Sequence, residues 1–159
     1  MPLYFLLAAA LVAVDQVVKY LVRAGIPLHT AVDFLPGLDL TYVQNTGAAF
    51  SLFSEHTWLL TLISLVMSVL LLMALVRGFF RHPFGRISLA LLLAGAVGNL
   101  IDRAFQGYVV DMFHVLFMEF AVFNVADICV VVGGIAAAVY YVWGYERLEK
   151  GLHPQEHRS

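Results

Sequence analysis

Four long apolar runs dominate the pattern of the chain. A helix that crosses a bilayer needs about 20 predominantly apolar residues. The first run contains only Asp15 up to Val18, the second has no charged residue, and the fourth contains only Asp127. The third run is uncharged but short, so we extend it to residue 103. These runs predict four membrane spans, at about residues 3–21, 58–76, 87–103 and 121–143.

The composition supports a membrane protein. Of the 159 residues, 62% are hydrophobic and 13% are charged, and the mean hydropathy is +0.87, which lies outside the usual range for soluble domains. The first run lacks a preceding basic segment and contains Asp15, and both features are unusual for a cleaved signal peptide. We therefore expect a single integral membrane domain over residues 1–159, with the first span retained.

The distribution of basic residues predicts the orientation. Lys and Arg are retained in the cytoplasm during membrane insertion. Six of them lie in the connector between the second and third runs and in the tail, residues 144–159: Arg77, Arg81, Arg86, Arg147, Lys150 and Arg158. We therefore expect both termini in the cytoplasm and segments 22–57 and 102–124 outside. The net charge of −2 and the lack of a basic cluster do not indicate nucleic-acid binding.

The outer segment 22–57 has a different pattern. Two short β-forming runs, Ala31–Leu35 and Leu38–Gln44, flank the turn signal Pro36-Gly37 and predict a hairpin. The run Ala48–Phe50 is too short to span and suits a short interfacial helix or loop. We also predict that the amphipathic segment 50–57 closes as a lid over a site at the outer helix ends.

Small residues predict contact between the third and fourth spans. They recur at every fourth position: Ala90, Ala94 and Gly98, then Gly133 with Ala137 and Gly134 with Ala138. Such residues let helix backbones approach closely in lipid. That contact would bring Asn99 next to Asp127. Asn99, like Asn45 and Asn124, is a candidate buried amide that satisfies local backbone or orients a substrate carbonyl or a catalytic carboxylate.

Asp111 and Asp127 flank the connector between the third and fourth spans, so the chain can bring them face to face. Two adjacent carboxylates do not both ionise easily and share a proton. One then acts as a base on water and the other as an acid toward a scissile amide. An alternative interpretation has Asp111 as a solvated loop residue and Asp127 as a helix N-cap. Spacing alone favours neither interpretation.

The other polar residues of the spans have structural interpretations. Asp15 and Lys19, spaced i and i+4, predict an ion pair within one helix. Asp102 and Arg103 are interpreted as markers of the water line, although Arg103 could also bind a lipid phosphate or pair with a carboxylate. The single cysteine, Cys129, lies in an apolar run and is interpreted as a packing residue.

Other kinds of active site or function have weaker support. The histidines show no HExxH spacing, and a metal site formed by Asp111, His114 and Asp127 is a weak alternative. A Ser-Lys pair would need Lys19 near a serine such as Ser51, which the spacing does not support. A non-enzymatic proton-relay subunit would place its carboxylates along a path near mid-bilayer, whereas these cluster at one face.

Five short motifs occur in order along the chain. They are Asp15-Gln16 followed by Lys19, Asn45-Thr46-Gly47-Ala48-Ala49-Phe50-Ser51, Gly98-Asn99-Leu100-Ile101-Asp102-Arg103, Gly107 with Val109-Val110-Asp111, and Phe123-Asn124-Val125-Ala126-Asp127. In these motifs, their spacing and the four-span layout, nearly the whole chain resembles the lipoprotein signal peptidases, also called signal peptidase II. The resemblance implies an aspartic endopeptidase of the bacterial inner membrane. Such an enzyme cuts prolipoproteins on the N-terminal side of a diacylglyceryl-modified cysteine.

The resemblance also implies the fold and the residue roles. It implies an all-α membrane protein of four transmembrane helices with a small extracytoplasmic antiparallel β-cradle. Asp111 and Asp127 would be catalytic, with five supporting or substrate-binding residues: Asp15, Asn45, Asn99, Arg103 and Asn124. We expect no metal or organic cofactor, and diacylglyceryl-modified prolipoproteins and membrane lipids as partners of a monomer. The alternative to this function is a different aspartic membrane protease, which would cut transmembrane substrates that carry no lipid.

Three positions depart from the family's pattern. Val18 stands where Ser or Thr often precedes the lysine, and Met112 stands where Phe commonly follows the first catalytic aspartate. Ile128 stands where a small or hydroxylated residue often follows the second. None of the three removes a catalytic group. We expect them to affect only the hydrogen bonding around the aspartate pair and its local pKa.

Overall fold

The computed structural model describes residues 1–47 and 57–149, with side chains described to residue 144. The elements in chain order are helix α1 (Pro2–Gly25), strands β1 (Ala31–Leu35) and β2 (Leu38–Asn45), helices α2 (Thr57–Val76) and α3 (Pro83–Gln106), strand β3 (Val109–Val115) and helix α4 (Val125–Val139), continued by a π-helix (Tyr140–Glu149). The predicted interfacial run Ala48–Phe50 and all of the predicted lid except Thr57 lie outside the described residues.

The described part of the chain contains four helices long and apolar enough to cross a membrane, as predicted. Two of them begin elsewhere than expected. α3 begins at Pro83 rather than near residue 87, because the His82 side chain accepts a hydrogen bond from Phe84 N and proline suits a first helical position. α4 begins at Val125 rather than residue 121, because Phe123 instead forms an antiparallel bridge with Phe113.

Close packing between α3 and α4 depends on glycine. A Cβ atom added to Gly95 would lie 2.4 Å from the Ala126 carbonyl oxygen and 2.6 Å from Val130 Cγ2, and one added to Gly133 would lie 2.9 Å from the Leu92 nitrogen. The predicted contact between these helices is therefore confirmed. Two of the predicted small residues serve another interface: Ala90 and Ala94 are buried in a cluster with residues of α1 and α2.

We expect Gly95→Ala to destabilise the protein by about 1–3 kcal/mol, the usual cost of overpacking a close contact. Thermal unfolding in detergent would measure the effect. Gly25→Ala is the matched control, because no described atom lies within 4 Å of a Cβ added there. Equal unfolding temperatures for the two variants would contradict the packing described here.

The three strands form one antiparallel sheet in the order β1-β2-β3. The predicted hairpin is confirmed, with Gly37 adopting a φ of 84° at its turn. β3 is missing from the sequence prediction because its first four residues are all buried, which hides the alternation that identifies a half-exposed strand. β1 and β2 connect α1 to α2, and β3 connects α3 to α4. The sheet therefore lies at the end of the bundle where α1 and α3 end.

Candidate active site

Asp111 lies on β3 opposite Val43 of β2 and is only 2% exposed. The interpretation of Asp111 as a solvated loop residue is therefore wrong. Asn45, at the end of β2, donates from Nδ2 to Asp111 Oδ2 at 2.9 Å, and Asn45 Oδ1 accepts the Gly47 N–H at 2.9 Å. The strand pairing thus brings an amide from the segment between α1 and α2 to the aspartate of β3.

Asp127 lies in the first turn of α4, and Asn124 is the N-cap of that helix. Asn124 Oδ1 accepts the Asp127 N–H at 2.9 Å, and Asp127 Oδ2 accepts the Asn124 N–H at 3.2 Å. This reciprocal pair is a capping box, so the interpretation of Asp127 as the N-cap itself is wrong. Its other oxygen, Oδ1, accepts a bond from Asn99 Nδ2 at 2.8 Å, which confirms the predicted meeting of Asn99 and Asp127.

The two aspartates are connected through amide side chains. Asn124 Nδ2 donates to Asp111 Oδ1 at 2.6 Å and to Asn99 Oδ1 at 3.2 Å, while Asn99 donates to Asp127. Asp111 and Asp127 also line one cavity of about 510 Å³, together with Asn99 and Arg103. This cavity, termed the inner cavity, therefore has both carboxylates in its wall.

Three charged residues form a buried cluster beside the pair. Lys19 Nζ lies 2.9 Å from Asp15 Oδ2 and 3.0 Å from Asp102 Oδ2, and it donates to Asn99 Oδ1 at 3.1 Å. The predicted ion pair between Asp15 and Lys19 is confirmed. The interpretation of Asp102 as a marker of the water line is wrong, because its side chain is fully buried and pairs with α1.

The two acids of this cluster also bind the backbone next to each candidate catalytic residue. Asp15 Oδ1 accepts the N–H of Ala126 at 2.8 Å, and Asp102 Oδ2 accepts the N–H of Val110 at 3.0 Å. Ala126 directly precedes Asp127, and Val110 directly precedes Asp111. The cluster therefore fixes the backbone on the N-terminal side of both aspartates.

Lys19, Asp102 and Gln16 belong to this site although they are missing from the predicted set of site residues. Gln16 Nε2 lies 3.2 Å from Asp15 Oδ2 and 3.1 Å from Asp102 Oδ1, so it joins the two acids. All three stand within the family motifs, and Asp15, Gln16 and Lys19 also form a run of polar residues toward the end of an apolar segment. Their shared partner Asp102 lies on another helix, which the sequence does not indicate.

Arg103 extends from α3 into the inner cavity. Its Nη1 lies 3.4 Å from Ser64 Oγ and its Nη2 lies 3.3 Å from the Gly47 carbonyl oxygen, which are long hydrogen bonds. Its buried Nε has no hydrogen-bond partner among the described residues. A buried donor without a partner lowers the stability of the folded protein. The Nε–H group of Arg103 is therefore free to donate to an acceptor of a bound molecule.

The environment of Asp111 changes its acidity. Burial raises the pKa of Asp111 to about 6, and the charge of Asp127 contributes to the increase. Hydrogen bonds from Asn45 and Asn124 and the charge of Lys19 act in the opposite direction. Asp111 therefore retains a proton at a pH where an ordinary aspartate has lost it.

The alternative metal site is not assembled in the part of the chain that the structure describes. Within residues 1–47 and 57–149, no group of three or more His, Cys, Asp or Glu side chains is placed to hold a metal ion. Asp111, His114 and Asp127 therefore do not form a shared set of ligands there.

The three departures from the family's pattern have different surroundings. Met112 is fully buried in a cluster with Val22, and Val18 packs against the same cluster. Ile128 lines the inner cavity and is 42% exposed. Val18 and Met112 thus fill the interface between α1 and the sheet. Their effect on the aspartate pair stays a prediction.

The fold and the site define a class of membrane protein with four spanning helices. Two aspartates, connected by hydrogen bonds through asparagine side chains, lie at one end of the bundle beside a small sheet. Residues 7–143 match the family described as Signal peptidase (SPase) II. The lipoprotein signal peptidase of Enterococcus faecalis is 40% identical over 149 residues, which cover 93% of this chain and 92% of that protein. The corresponding protein of Mesorhizobium japonicum is 39% identical over 155 residues, covering 95% and 92%.

Solved structures agree with this assignment. Two bacterial membrane enzyme structures, determined by the in meso method at 2.3 and 1.9 Å resolution, superpose with TM-scores of 0.83 and 0.82. They are 26% and 27% identical, and the matches cover 100% and 90% of this chain and 95% and 94% of theirs. The chain belongs to the signal peptidase II family, as its motifs predict, and is a membrane protease of lipoprotein processing.

Proposed function

We propose that the protein is an aspartic endopeptidase that removes signal peptides from prolipoproteins, cutting on the N-terminal side of the diacylglyceryl-modified cysteine. One observation supports this most strongly: Asp111 and Asp127 line one cavity and are connected through Asn124 and Asn99. The names of the relatives, lipoprotein signal peptidases, support the substrate class.

In the proposed mechanism the pair shares one proton, which is held by Asp111, whose pKa is raised, and Asp127 acts as the base. Asp127 takes a proton from a water molecule as the water oxygen bonds to the scissile carbonyl carbon. Asp111 gives its proton to the carbonyl oxygen. The C–N bond of the resulting gem-diol then breaks, with Asp127 returning its proton to the amine and Asp111 recovering one from a hydroxyl group.

The amides and Arg103 have supporting roles in this proposal. Asn45, Asn99 and Asn124 donate to the carboxylate oxygens and thereby hold the carboxylate planes in place. Arg103 has an unpartnered Nε among the described residues and would donate to a carbonyl oxygen of the bound substrate backbone. Asp15 acts on Asp127 indirectly, because its carboxylate accepts a hydrogen bond from the N–H of the preceding residue, Ala126.

We propose that the site faces the outer side of the bacterial inner membrane and that both termini are cytoplasmic. The sheet and both aspartates lie at one end of the bundle, and the arginine-rich connector 77–82 lies at the other. The inner cavity extends along apolar residues of α4: Ile128, Val130, Val131 and Val132. Such a wall suits a substrate with a membrane-embedded signal helix and acyl chains. Because one chain supplies every site residue, we propose a monomer.

The direct test uses purified protein with a synthetic diacylated lipopeptide and its unacylated twin, with a chelator present throughout. We expect cleavage directly before the modified cysteine of the acylated peptide, a strongly reduced rate on the twin, and no effect of the chelator. Equal cleavage of both peptides would instead indicate the rival, an aspartic membrane protease that does not recognise the lipid. Inhibition by the chelator would contradict the two-aspartate mechanism.

The pH dependence provides a second prediction. We expect kcat/KM to follow a bell-shaped profile, because one carboxyl must be protonated and the other ionised. Since the pKa of Asp111 is about 6, the basic limb should fall as the pH rises through about 6. Asn45→Ala removes a hydrogen bond that lowers the pKa of Asp111, so it should move this limb to higher pH. Gln44→Ala, the neighbouring control, should leave it in place. An unmoved limb in Asn45→Ala would count against the assignment.

A further inference from the structure

A second cavity, of about 970 Å³, adjoins the inner cavity at Asp111. It is termed the outer groove and is lined by residues 43–46 of β2 and the following turn, by Asp111, and by residues 114–122, which run from the end of β3 toward α4. Asn45, Asp111 and residues 120–122 line both cavities. A polypeptide bound at Asp111 therefore has one cavity on either side of it.

The two cavities differ in their surroundings. The inner cavity follows α4, a membrane-spanning helix, and its wall there is apolar. The outer groove lies against the sheet and the segment after β3, outside the spans, and polar side chains line part of it: Gln44, Thr46, His114 and Glu119. The inner cavity thus suits the part of a substrate that stays in lipid, and the outer groove suits a part that continues into water.

We propose that the outer groove binds the first residues of the mature lipoprotein beyond the modified cysteine, and that it favours basic over acidic side chains at those positions. The proposal rests on the proposed function, which places the cut at Asp111 and Asp127. The signal helix precedes the cut and the acyl chains anchor the cysteine in the bilayer. Only the chain after the cysteine leaves the membrane, and the outer groove is the cavity that leads away from the spans.

The preference for basic residues follows from the charges of the groove. Besides the catalytic Asp111, which holds a proton in the proposed mechanism, its described lining contains one acid, Glu119, and neither Lys nor Arg. Glu119 is exposed, so its attraction to a substrate cation is partly screened by water and salt. Exposed charge pairs of this kind change an equilibrium constant by about threefold. An acidic residue in the groove would experience repulsion of similar size.

The test compares two diacylated lipopeptides that differ only in having Lys or Glu at the second and third positions after the cysteine. At low salt we expect wild-type kcat/KM to be about threefold higher for the Lys peptide. Glu119→Gln should reduce this ratio and Glu119→Lys should reverse it. Raising the ionic strength should bring the wild-type ratio toward one.

Asp33 provides the matched control. It is an exposed acid on β1 and is not among the described residues that line the groove. Asp33→Asn and Asp33→Lys should leave the ratio unchanged. Any of three results would overturn the proposal: a wild-type ratio of one, a ratio that is unchanged by the Glu119 substitutions, or a ratio that changes equally with the Asp33 substitutions. Failure of the proposed function would look different: neither lipopeptide would be cut, or the unacylated twin of each would be cut equally well.

Discussion

Asp111→Asn and Asp127→Asn should each lower kcat by about 10⁴-fold, the upper range for loss of general acid–base catalysis, while leaving a folded, membrane-inserted protein. Either change removes one partner of the shared proton. Turnover of a diacylated lipopeptide measures the loss, and thermal unfolding in detergent measures the fold. Asp39→Asn is the control, because Asp39 also lies in the sheet but is not among the described residues lining either cavity. Near wild-type turnover in either active-site variant would remove the basis of the proposed function.

The fold should survive these two substitutions for a physical reason. The pKa of Asp111 is raised from 3.8 to about 6, so ionisation of this carboxyl group disfavours the folded state. The stability that Asp111 contributes is fully present below about pH 3.8 and is lost as the pH rises through about 6. A neutral Asn removes this cost at neutral pH. An Asn at position 111 also faces two hydrogen-bond donors, Asn45 Nδ2 and Asn124 Nδ2, so part of the gain in stability is lost. For Asp127, Asn retains an oxygen for the capping box.

The parts of the fold that sequence predicts are those with local signals. Each span is a continuous apolar run, and the hairpin turn is specified by two adjacent residues, Pro36 and Gly37. β3 has no such signal, because its strand conformation depends on pairing with β2 far away in the chain. The early start expected for α4 fails for the same reason: residues 121–123 are apolar, but Phe123 pairs with Phe113.

The candidate site divides in a similar way. The family motifs identify Asp111, Asp127 and the amides, whereas their spacing alone fits a solvated loop and a helix cap equally well. Asp102 is misinterpreted because a charge at the end of an apolar run usually reaches water. Its actual partner, Lys19, lies on α1. Pairing between residues of different helices depends on the packing of α1 against α3, which a single sequence does not reveal.

That pairing leads to the largest expected effect on stability. Lys19→Met would remove the described ion-pair partner of two buried acids, since Lys19 Nζ lies within 3.0 Å of both Asp15 and Asp102. Removing one partner of a buried ion pair costs about 3–5 kcal/mol. We expect a loss of this size in thermal unfolding. Arg23→Met on the same helix is the control, because Arg23 is exposed and should change stability by less than about 0.5 kcal/mol.

A second substitution separates charge from packing. Asp102→Asn in the Lys19→Met background removes one of the two unpaired carboxylates, so the double variant should recover part of the lost stability. It should not recover activity, because a neutral amide at position 102 binds the Val110 N–H less firmly than a carboxylate, and Lys19 no longer contacts Asp15 and Asn99. If the double variant lost as much stability as the sum of the losses in Lys19→Met and Asp102→Asn alone, Lys19 would act by filling space. Recovery confined to stability supports a buried charge cluster that places Asp111 and Asp127 through the backbone in front of each.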